Sequence, residues 1–253
     1  MEISAQGDIP RANVALIGQW DPISTTHQAL FRNEVAAAAR TGRGVVVLTL
    51  DPAPAAHVFG FRARPPLDDV AARMRIQRGC GVAVRATVAL TEAESARSGA
   101  AEMLGELRAR FPIDELVLGA RQTLGVGSRG DFAAVLEAAW SHRLAVRRLD
   151  PTVNRLRTSD ARRAVASGRV AEAVAVLGRE LCWARPHDGR VRLPWPAGLY
   201  KAVGLIAPGA GARRIGDEIQ IMLRDDGDVS SFAWPDDALS WIGFHSGPMD
   251  DKP

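Results

Sequence analysis

Hydrophobic and polar positions follow two periods along the first two thirds of the chain. Short, nearly continuous apolar runs occur at Asn13 to Gly18, Val45 to Leu50, 82 to 90, Glu115 to Gly119 and Ala145 to Leu149. Their length and β-branched content predict strands. Val45-Val46-Val47-Leu48-Thr49-Leu50 has no polar face, the signature of a strand buried on both sides of a parallel sheet. Between these runs, longer Ala/Leu/Arg stretches place apolar residues three and four apart, as helices do. One spans 27 to 40, with Leu30, Phe31 and Val35 on one side and Arg32 and Glu34 on the other. Others span 67 to 78 and 96 to 110, the latter striped by Met103, Leu104 and Leu107. A further helix is capped by Asp131 and carries Phe132, Val135, Leu136 and Ala139, and two short ones, 159 to 167 and 169 to 178, are separated by Gly168. Parallel strands need helical crossovers, so this alternation predicts an α/β fold built on a Rossmann-like, doubly wound parallel sheet.

The pattern changes after Arg179. From Trp183 onward, short apolar runs such as Gly198 to Ile206 and Glu218 to Leu223 are separated by Pro208-Gly209-Ala210-Gly211 and Asp225-Asp226-Gly227-Asp228. That spacing predicts hairpins. A small β-rich module is expected at about 187 to 245, followed by a charged, proline-containing tail from Pro248 that has little with which to build a core.

Composition narrows the function classes. The chain has 253 residues, 47% hydrophobic and 24% charged, which suits a globular protein of one large domain, or one large and one small. A net charge of +3, with no basic run interleaved with aromatic residues, argues against a nucleic-acid partner. No apolar run reaches the length of a membrane span, and MEISAQGDIPR lacks the layout of a signal peptide, so a cytoplasmic protein with no membrane partner is expected. Cys80 and Cys182 read as ordinary thiols, and His57, His142, His187 and His245 are dispersed without metal-ligand spacing, so no metal site is expected. The loop Gly125-Val126-Gly127-Ser128-Arg129-Gly130, with Asp150 twenty residues on, superficially matches a dinucleotide fingerprint. It begins well past its strand and not at the strand's end, which disfavours that reading.

The chemistry is concentrated where the first parallel strand hands over to its helix, in Gly18-Gln19-Trp20-Asp21-Pro22-Ile23-Ser24-Thr25-Thr26-His27. In open α/β sheets ligands bind beyond the carboxyl ends of the strands, where helix N-termini offer unpaired N–H groups to phosphates. A glycine at the strand end allows close backbone approach. Ser24, Thr25 and Thr26 supply caps or hydroxyl donors, and His27 can place an imidazole N–H against charge developing on phosphorus. A purely structural role, in which the hydroxyls cap the helix and His27 lies on the surface, is equally consistent with this segment.

This stretch, continued to Gln28-Ala29-Leu30, resembles the G-x-F-D-G-x-H-x-G-H-x-x-L segment of bacterial FAD synthetases, the adenylyltransferase half of bifunctional riboflavin kinase/FMN adenylyltransferases. Further landmarks follow in order. Leu48-Thr49-Leu50-Asp51-Pro52-Ala53-Pro54 is similar to L-T-F-D-P-H-P, and Leu118-Gly119-Ala120-Arg121-Gln122-Thr123-Leu124-Gly125 to V-G-x-D-F-x-F-G. Leu156 to Gly168 aligns with S-S-T-R-I-R-x-x-L-x-x-G, and Val170 to Arg179 ends in the family's A-x-x-L-G-R. The resemblance covers about residues 12 to 185. It implies a sheet of the nucleotidyltransferase type over 1-185 and a reduced riboflavin-kinase-like β module and tail over 186-253. It also implies transfer of AMP from ATP, carried with Mg²⁺, to FMN or a related phosphate acceptor, with release of pyrophosphate. Under the resemblance, His27 and Ser24 stand at the catalytic positions. Gly18, Gln19, Trp20, Asp21, Thr25, Thr26, Thr158, Ser159 and Arg162 hold the nucleotide, and Asp51, Pro52, Arg121 and Gly125 face the flavin or other acceptor.

The sequence departs from the family pattern at charged and catalytic positions. Ser24 replaces the first motif histidine, Thr26 the glycine between the histidines, Asp160 the arginine of S-S-T-R, Ala53 the histidine of D-P-H-P and Arg121 the carboxylate of the flavin loop. An anion where the family has a phosphate-binding cation reverses the sign of that interaction. No Pro-Thr-Ala-Asn segment follows residue 180, although Leu193-Pro194-Trp195-Pro196-Ala197-Gly198-Leu199-Tyr200 is similar to L-P-x-x-G-V-Y, so riboflavin kinase activity is not expected. Three functions stay open: a FAD synthetase-like nucleotidyltransferase, a non-catalytic paralogue that binds flavin or nucleotide, and an enzyme of another reaction type on the same fold.

Overall fold

The computed structural model describes residues 2–7, 13–18, 20–51, 66–89, 99–119, 132–149, 158–184, 193, 195–205, 214–223, 229–230 and 241–248. The chain divides into two compact units made of interleaved segments. One comprises Met1–Trp20, Leu30–Arg64 and Cys80–Arg155, the other Asp21–Ala29, Pro65–Gly79 and Leu156–Pro253.

The first unit is built on a six-stranded sheet. Strands β1 (Glu2–Gln6), β2 (Asn13–Gly18), β3 (Gly44–Asp51), β4 (Val84–Ala89), β5 (Ile113–Leu118) and β6 (Ala145–Arg148) lie in the order β1-β4-β3-β2-β5-β6. All adjacent pairs are parallel except β1 with β4, which leaves one antiparallel edge on a doubly wound parallel sheet. Every residue of β2 is buried, as expected of a central strand covered on both faces. Core side chains include Ile17, Leu48, Leu104, Leu116, Leu118 and Val135. From β2 the chain winds to β3 and β4 on one side, then returns to β5 and β6 on the other. The carboxyl end of β2 is therefore the topological switch point of the sheet.

Helix α1 (Thr25–Ala39) begins two residues before the periodicity predicts and carries its first turn in the second unit. The predicted amphipathic faces need one correction. Glu34 does not face water with Arg32: it is buried and receives both terminal nitrogens of Arg147, while Glu115 accepts from Arg147 and Arg43. A helix wheel assigns glutamate to solvent by default, and only the cross-chain guanidinium makes the inward position tolerable. In the same way Leu136, expected in the apolar stripe of α4 (Phe132–Ser141), is exposed, while its neighbours Val135 and Ala139 are buried. Helix α3 is Ala100–Arg110, with Met103, Leu104 and Leu107 buried as predicted.

The second unit holds α2 (Val70–Gly79), the hairpin of α5 (Thr158–Ala166) and α6 (Val170–Leu177), and an antiparallel sheet. The sheet order is β10-β9-β8-β11-β7, from β7 (Leu181–Ala184), β8 (Gly198–Leu205), β9 (Arg214–Leu223), β10 (Val229–Ser230) and β11 (Trp241–Ser246). Trp195 meets Phe244 edge to face at 5.0 Å and Tyr200 at 5.6 Å, forming an aromatic centre against the helices. The Tyr200 hydroxyl donates to the Pro196 carbonyl at 2.6 Å, so the ring is buried without leaving its polar atom unmatched.

Helix α6 ends at Gly178, whose φ of 71° is the left-handed cap conformation, with its N–H donating to the Val174 carbonyl. A Cβ there would stand 2.6 Å from Thr25 Oγ1. Both backbone and packing thus require glycine. The variant Gly178→Ala should lose about 1–3 kcal/mol of stability, seen as a lower urea midpoint at unchanged denaturant slope.

Candidate functional site

The segment Asp21–Ala29 and its neighbours in the second unit form a closely hydrogen-bonded corner at the N-terminus of α1. Ser24 is the N-cap. Its Oγ accepts the His27 N–H at 3.2 Å, and its own N–H donates to His27 Nδ1 at 3.1 Å. This is a capping box in which an imidazole takes the place usually filled by Glu or Gln three residues into the helix. Because Nδ1 accepts, the neutral ring carries its proton on Nε2. The Ser24 carbonyl accepts the first helical bond, from Gln28 N–H at 3.0 Å.

His27 is half-buried, and its pKa is lowered to about 4, first by burial and then by the positive charge of Arg179, against a smaller opposing pull from a hydrogen bond with the Pro22 backbone. At neutral pH the ring is uncharged. The ring's hydrogen bonds, with Ser24 and the Pro22 backbone, make His27 part of this corner's polar network and not a free cation.

Asp21 ties three pieces of chain together. Its carboxylate accepts the N–H groups of Leu67 and Asp68 at 3.1 Å each and pairs with Arg162 at 2.7 Å; Arg162 also reaches the Asp21 carbonyl at 2.7 Å. Burial raises the Asp21 pKa, opposed by Arg162 and Arg73 and assisted by Asp68. Behind this loop Asp68 and Arg179 form a two-pronged ion pair that is 0% and 4% exposed. Asp68 also accepts Ile23 N–H at 3.4 Å and Cys182 N–H at 2.9 Å, and Arg179 donates to the carbonyls of Ile23 and Glu180. Asp69 caps α2 through Ala72 N–H and accepts Ala184 N–H as well, so adjacent aspartates secure both the helix and the first strand of the second sheet.

The sequence-predicted residues fall into three groups. Ser24, His27, Asp21, Thr25, Thr26, Thr158, Ser159 and Arg162 all lie in the second unit, and the hydrogen bonds above join Ser24 to His27 and Asp21 to Arg162. Thr25 Oγ1 donates to the Leu177 carbonyl at 3.3 Å, at the end of α6. Thr26 and Ser159 are exposed, each in the first turn of its helix, and Thr158 is half-buried. In the first unit, Gly18 closes β2 beside Thr49, and Trp20 lies over it: a Cβ on Gly18 would stand 3.0 Å from the indole. The Trp20 N–H donates to the Leu48 carbonyl at 3.2 Å and its ring meets Phe31 edge-on at 5.0 Å, so the indole is a core side chain. Asp51 ends β3 opposite Ala89. Gln19, Pro52, Arg121 and Gly125 lie outside the described residues, as do Ala53 and the Asp131 cap.

Asp160, which stands where the family pattern has arginine, pairs with Arg163 at 3.2 Å in the first turn of α5, where a carboxylate is favoured by the helix dipole. Asp68 and Arg179 were not marked by residue type as functional. Their signal was faint: two acids directly after Pro65-Pro66-Leu67, and the terminal arginine of A-x-x-L-G-R. Cys80 and Cys182 are buried thiols that form no disulfide. Among the described residues no cluster of three or more His, Cys, Asp or Glu side chains is arranged to hold a metal, and no helix is long and apolar enough to cross a membrane.

A doubly wound, mainly parallel sheet followed in the chain by an antiparallel sheet is consistent with the Rossmann-like fold of nucleotidyltransferases. The FAD synthetase family model matches residues 7–159, more than half of the chain, and the chain belongs to that family. A macrolide-efflux protein from Streptococcus pneumoniae has a similar crystal structure, with a TM-score of 0.64 at 19% identity over 97% of this chain and 89% of that one, a likeness of fold alone. A universal stress protein from Archaeoglobus fulgidus overlaps 55% of this chain and 93% of its own at 15% identity, with a TM-score of 0.33, too low to bear on the fold. Among curated proteins no match is found.

Two outcomes follow from the capping box. Ser24→Ala should cost about 1 kcal/mol of stability, whereas Ser24→Asp, which keeps an acceptor for the His27 N–H, should cost less; thermal unfolding measures both. His27 has a folded pKa of about 4 against an ordinary 6.5, so the unfolded chain binds the extra proton first. Its contribution is complete above about pH 6.5 and is lost as pH falls toward 4. Denaturant titrations at several pH values should show a slope in that window that His27→Gln flattens.

Proposed function

We propose that this chain is a FAD synthetase-like nucleotidyltransferase that transfers AMP from ATP to FMN or a related phosphate acceptor. The observation that supports the reading best is the first turn of α1, where a family-matched segment presents a neutral imidazole at a helix N-terminus beside the exposed Thr26 hydroxyl. Polyphosphate suits such a place because the unpaired N–H groups of the turn and the helix dipole both favour negative charge. An acceptor phosphate oxygen attacks the α-phosphorus of ATP, one P–O bond forms, and the bond to the β-phosphate oxygen breaks to release pyrophosphate. The His27 ring N–H would exchange its hydrogen bond with the Pro22 backbone for one to a phosphoryl oxygen as charge grows there, while Thr26, Thr158 and Ser159 supply hydroxyl donors and Gly18 to Asp21 contribute mainly backbone. Catalysis of this kind is positional and electrostatic, with no covalent intermediate. The acceptor would lie against Asp51, Pro52, Arg121 and Gly125.

Magnesium, when bound, neutralises phosphate charge. Asp21 and Asp68, the carboxylates of this corner, are each held by a guanidinium, so the described residues do not form a cage for the ion, which would arrive with the triphosphate. In this reading residues 1-185 form the transferase part, residues 186-253 a reduced riboflavin-kinase-like module and tail, and the protein works in the cytoplasm.

A second reading, a paralogue that binds flavin or nucleotide without turnover, is favoured by one observation: Ser24, Thr25, Asp21 and Arg162 spend polar groups on one another or on neighbouring backbone. The two separate in one assay. Purified protein incubated with ATP, Mg²⁺ and FMN should form FAD and pyrophosphate in equal amounts, and His27→Ala should lower kcat about 100-fold. Binding of nucleotide by calorimetry with no product supports the second reading; neither binding nor product removes both.

A further inference from the structure

Helix α4 of the first unit spends Val135, Ala138 and Ala139 on the core. Its C-terminal end is tied to α3. The His142 Nε2–H donates to the Ala101 carbonyl at 2.7 Å, and the ring lies against Gly105, where a Cβ would stand 3.0 Å away. The helix cannot roll about its axis without breaking these contacts, so its opposite face stays in water. That face carries Trp140, 82% exposed, with Leu136 one turn before it, 43% exposed. A rigid apolar pair rimmed by charge marks an interaction surface.

The rim is complementary to itself. Glu137 precedes Trp140 by three residues and Arg143 follows it by three, so one diagonal row across the helix surface and off its end reads acid, indole, base. Both charged side chains are exposed, and among the described residues neither makes an ion pair or side-chain hydrogen bond. Six residues, about 9 Å along a helix axis, separate the two. The arginines of the following strand are engaged elsewhere: Arg147 by Glu34 and Glu115, and Arg148 over the Phe132 ring at 4.7 Å. Arg143 also holds a φ of 55° and is the one non-glycine residue with a positive φ among those described. It closes α4, its N–H donating to the Trp140 carbonyl at 2.9 Å and the Leu144 N–H to the Ala139 carbonyl at 2.8 Å. Glycine fits such a turn without strain; arginine adds a cation at that place on the surface.

We propose that this face docks a second copy of the chain in a two-fold dimer. Trp140 packs against Trp140 of the partner subunit, with Leu136 beside it, and Glu137 pairs with the partner subunit's Arg143. A two-fold axis through the indoles reverses the row, which brings acid opposite base on both sides of the centre and makes each ion pair twice. Rows of three-residue spacing laid on one another cross the two helices steeply. An unrelated partner has no need of an acid and a base equally spaced about one indole, whereas a copy does. The arrangement puts the aromatic anchor at the middle and the charges at the rim, where they exclude water and fix orientation.

The dimer is independent of the transferase reading, and its test needs no substrate. Sedimentation velocity of the full chain over a wide range of concentration should show a monomer–dimer equilibrium. Trp140→Ser, at an exposed position that leaves the core intact, should raise the dimer Kd about 30-fold or more. Glu137→Arg alone places like charges together and should raise it about 10-fold or more. Adding Arg143→Glu to Glu137→Arg exchanges the signs and should return the Kd toward the wild-type value. Thermal unfolding of each variant confirms that it is folded. A wild-type chain that is monomeric at every concentration overturns the proposal, a result that needs no variant. So does a dimer whose Kd is unchanged by Trp140→Ser, or one that the double exchange fails to restore.

Discussion

A carboxylate with no exposure to water is tolerable only beside a permanent partner, and Asp68 has one in Arg179. Removing either partner of such a pair costs about 3–5 kcal/mol because the other is left charged and buried. The geometry here goes further than charge balance. Every accepting direction of Asp68 is used by Arg179, by Ile23 N–H or by Cys182 N–H. The loop ahead of α1, the turn ahead of α2 and the strand β7 can form this contact only together. The pair therefore joins three segments of the second unit that are far apart in sequence.

The corner that this pair organises is electrically quiet. Asp21 answers Arg162, Asp160 answers Arg163, and His27 is uncharged at neutral pH. Residues that depart from the family pattern find structural employment: Ser24 closes a capping box, and Asp160 sits at the helix end that favours an anion. What this helix start offers an anionic ligand is dipolar, namely the backbone N–H groups of its first turn and the exposed Thr26 hydroxyl. Such groups stabilise charge best where water is scarce and nothing must reorganise when the charge appears.

The parts of the fold that were legible were those whose signal is local. Val45 to Leu50 announced a strand buried on both faces, and the break at Gly168 announced a helix end, because strand period and left-handed backbone are properties of a few consecutive residues. The errors were of side, not of element. Glu34 was assigned to solvent and is buried against Arg147, and Leu136 was assigned to the core and is exposed. At the site, Trp20 sat in a motif that suggested a ligand contact, yet its indole fills the space above Gly18 and packs on Phe31. No rule of periodicity contains the identity of the residue that will arrive from another strand or helix.

By itself the sequence determined the type of most elements, the parallel sheet, the antiparallel module that follows, and membership of the FAD synthetase family, but not the edge strand β1 or the strand order that puts the switch point at β2. The former follow from local period and from motifs read in order along one chain. Only the tertiary structure decided which charges meet. Asp68 and Arg179 are separated by 111 residues, and Asp21 and Arg162 by 141, distances over which sequence carries no pairing signal of its own. The charge state of His27 belongs to the same class, since burial and a guanidinium brought in by the fold set it, and neither exists until the chain has closed around the ring.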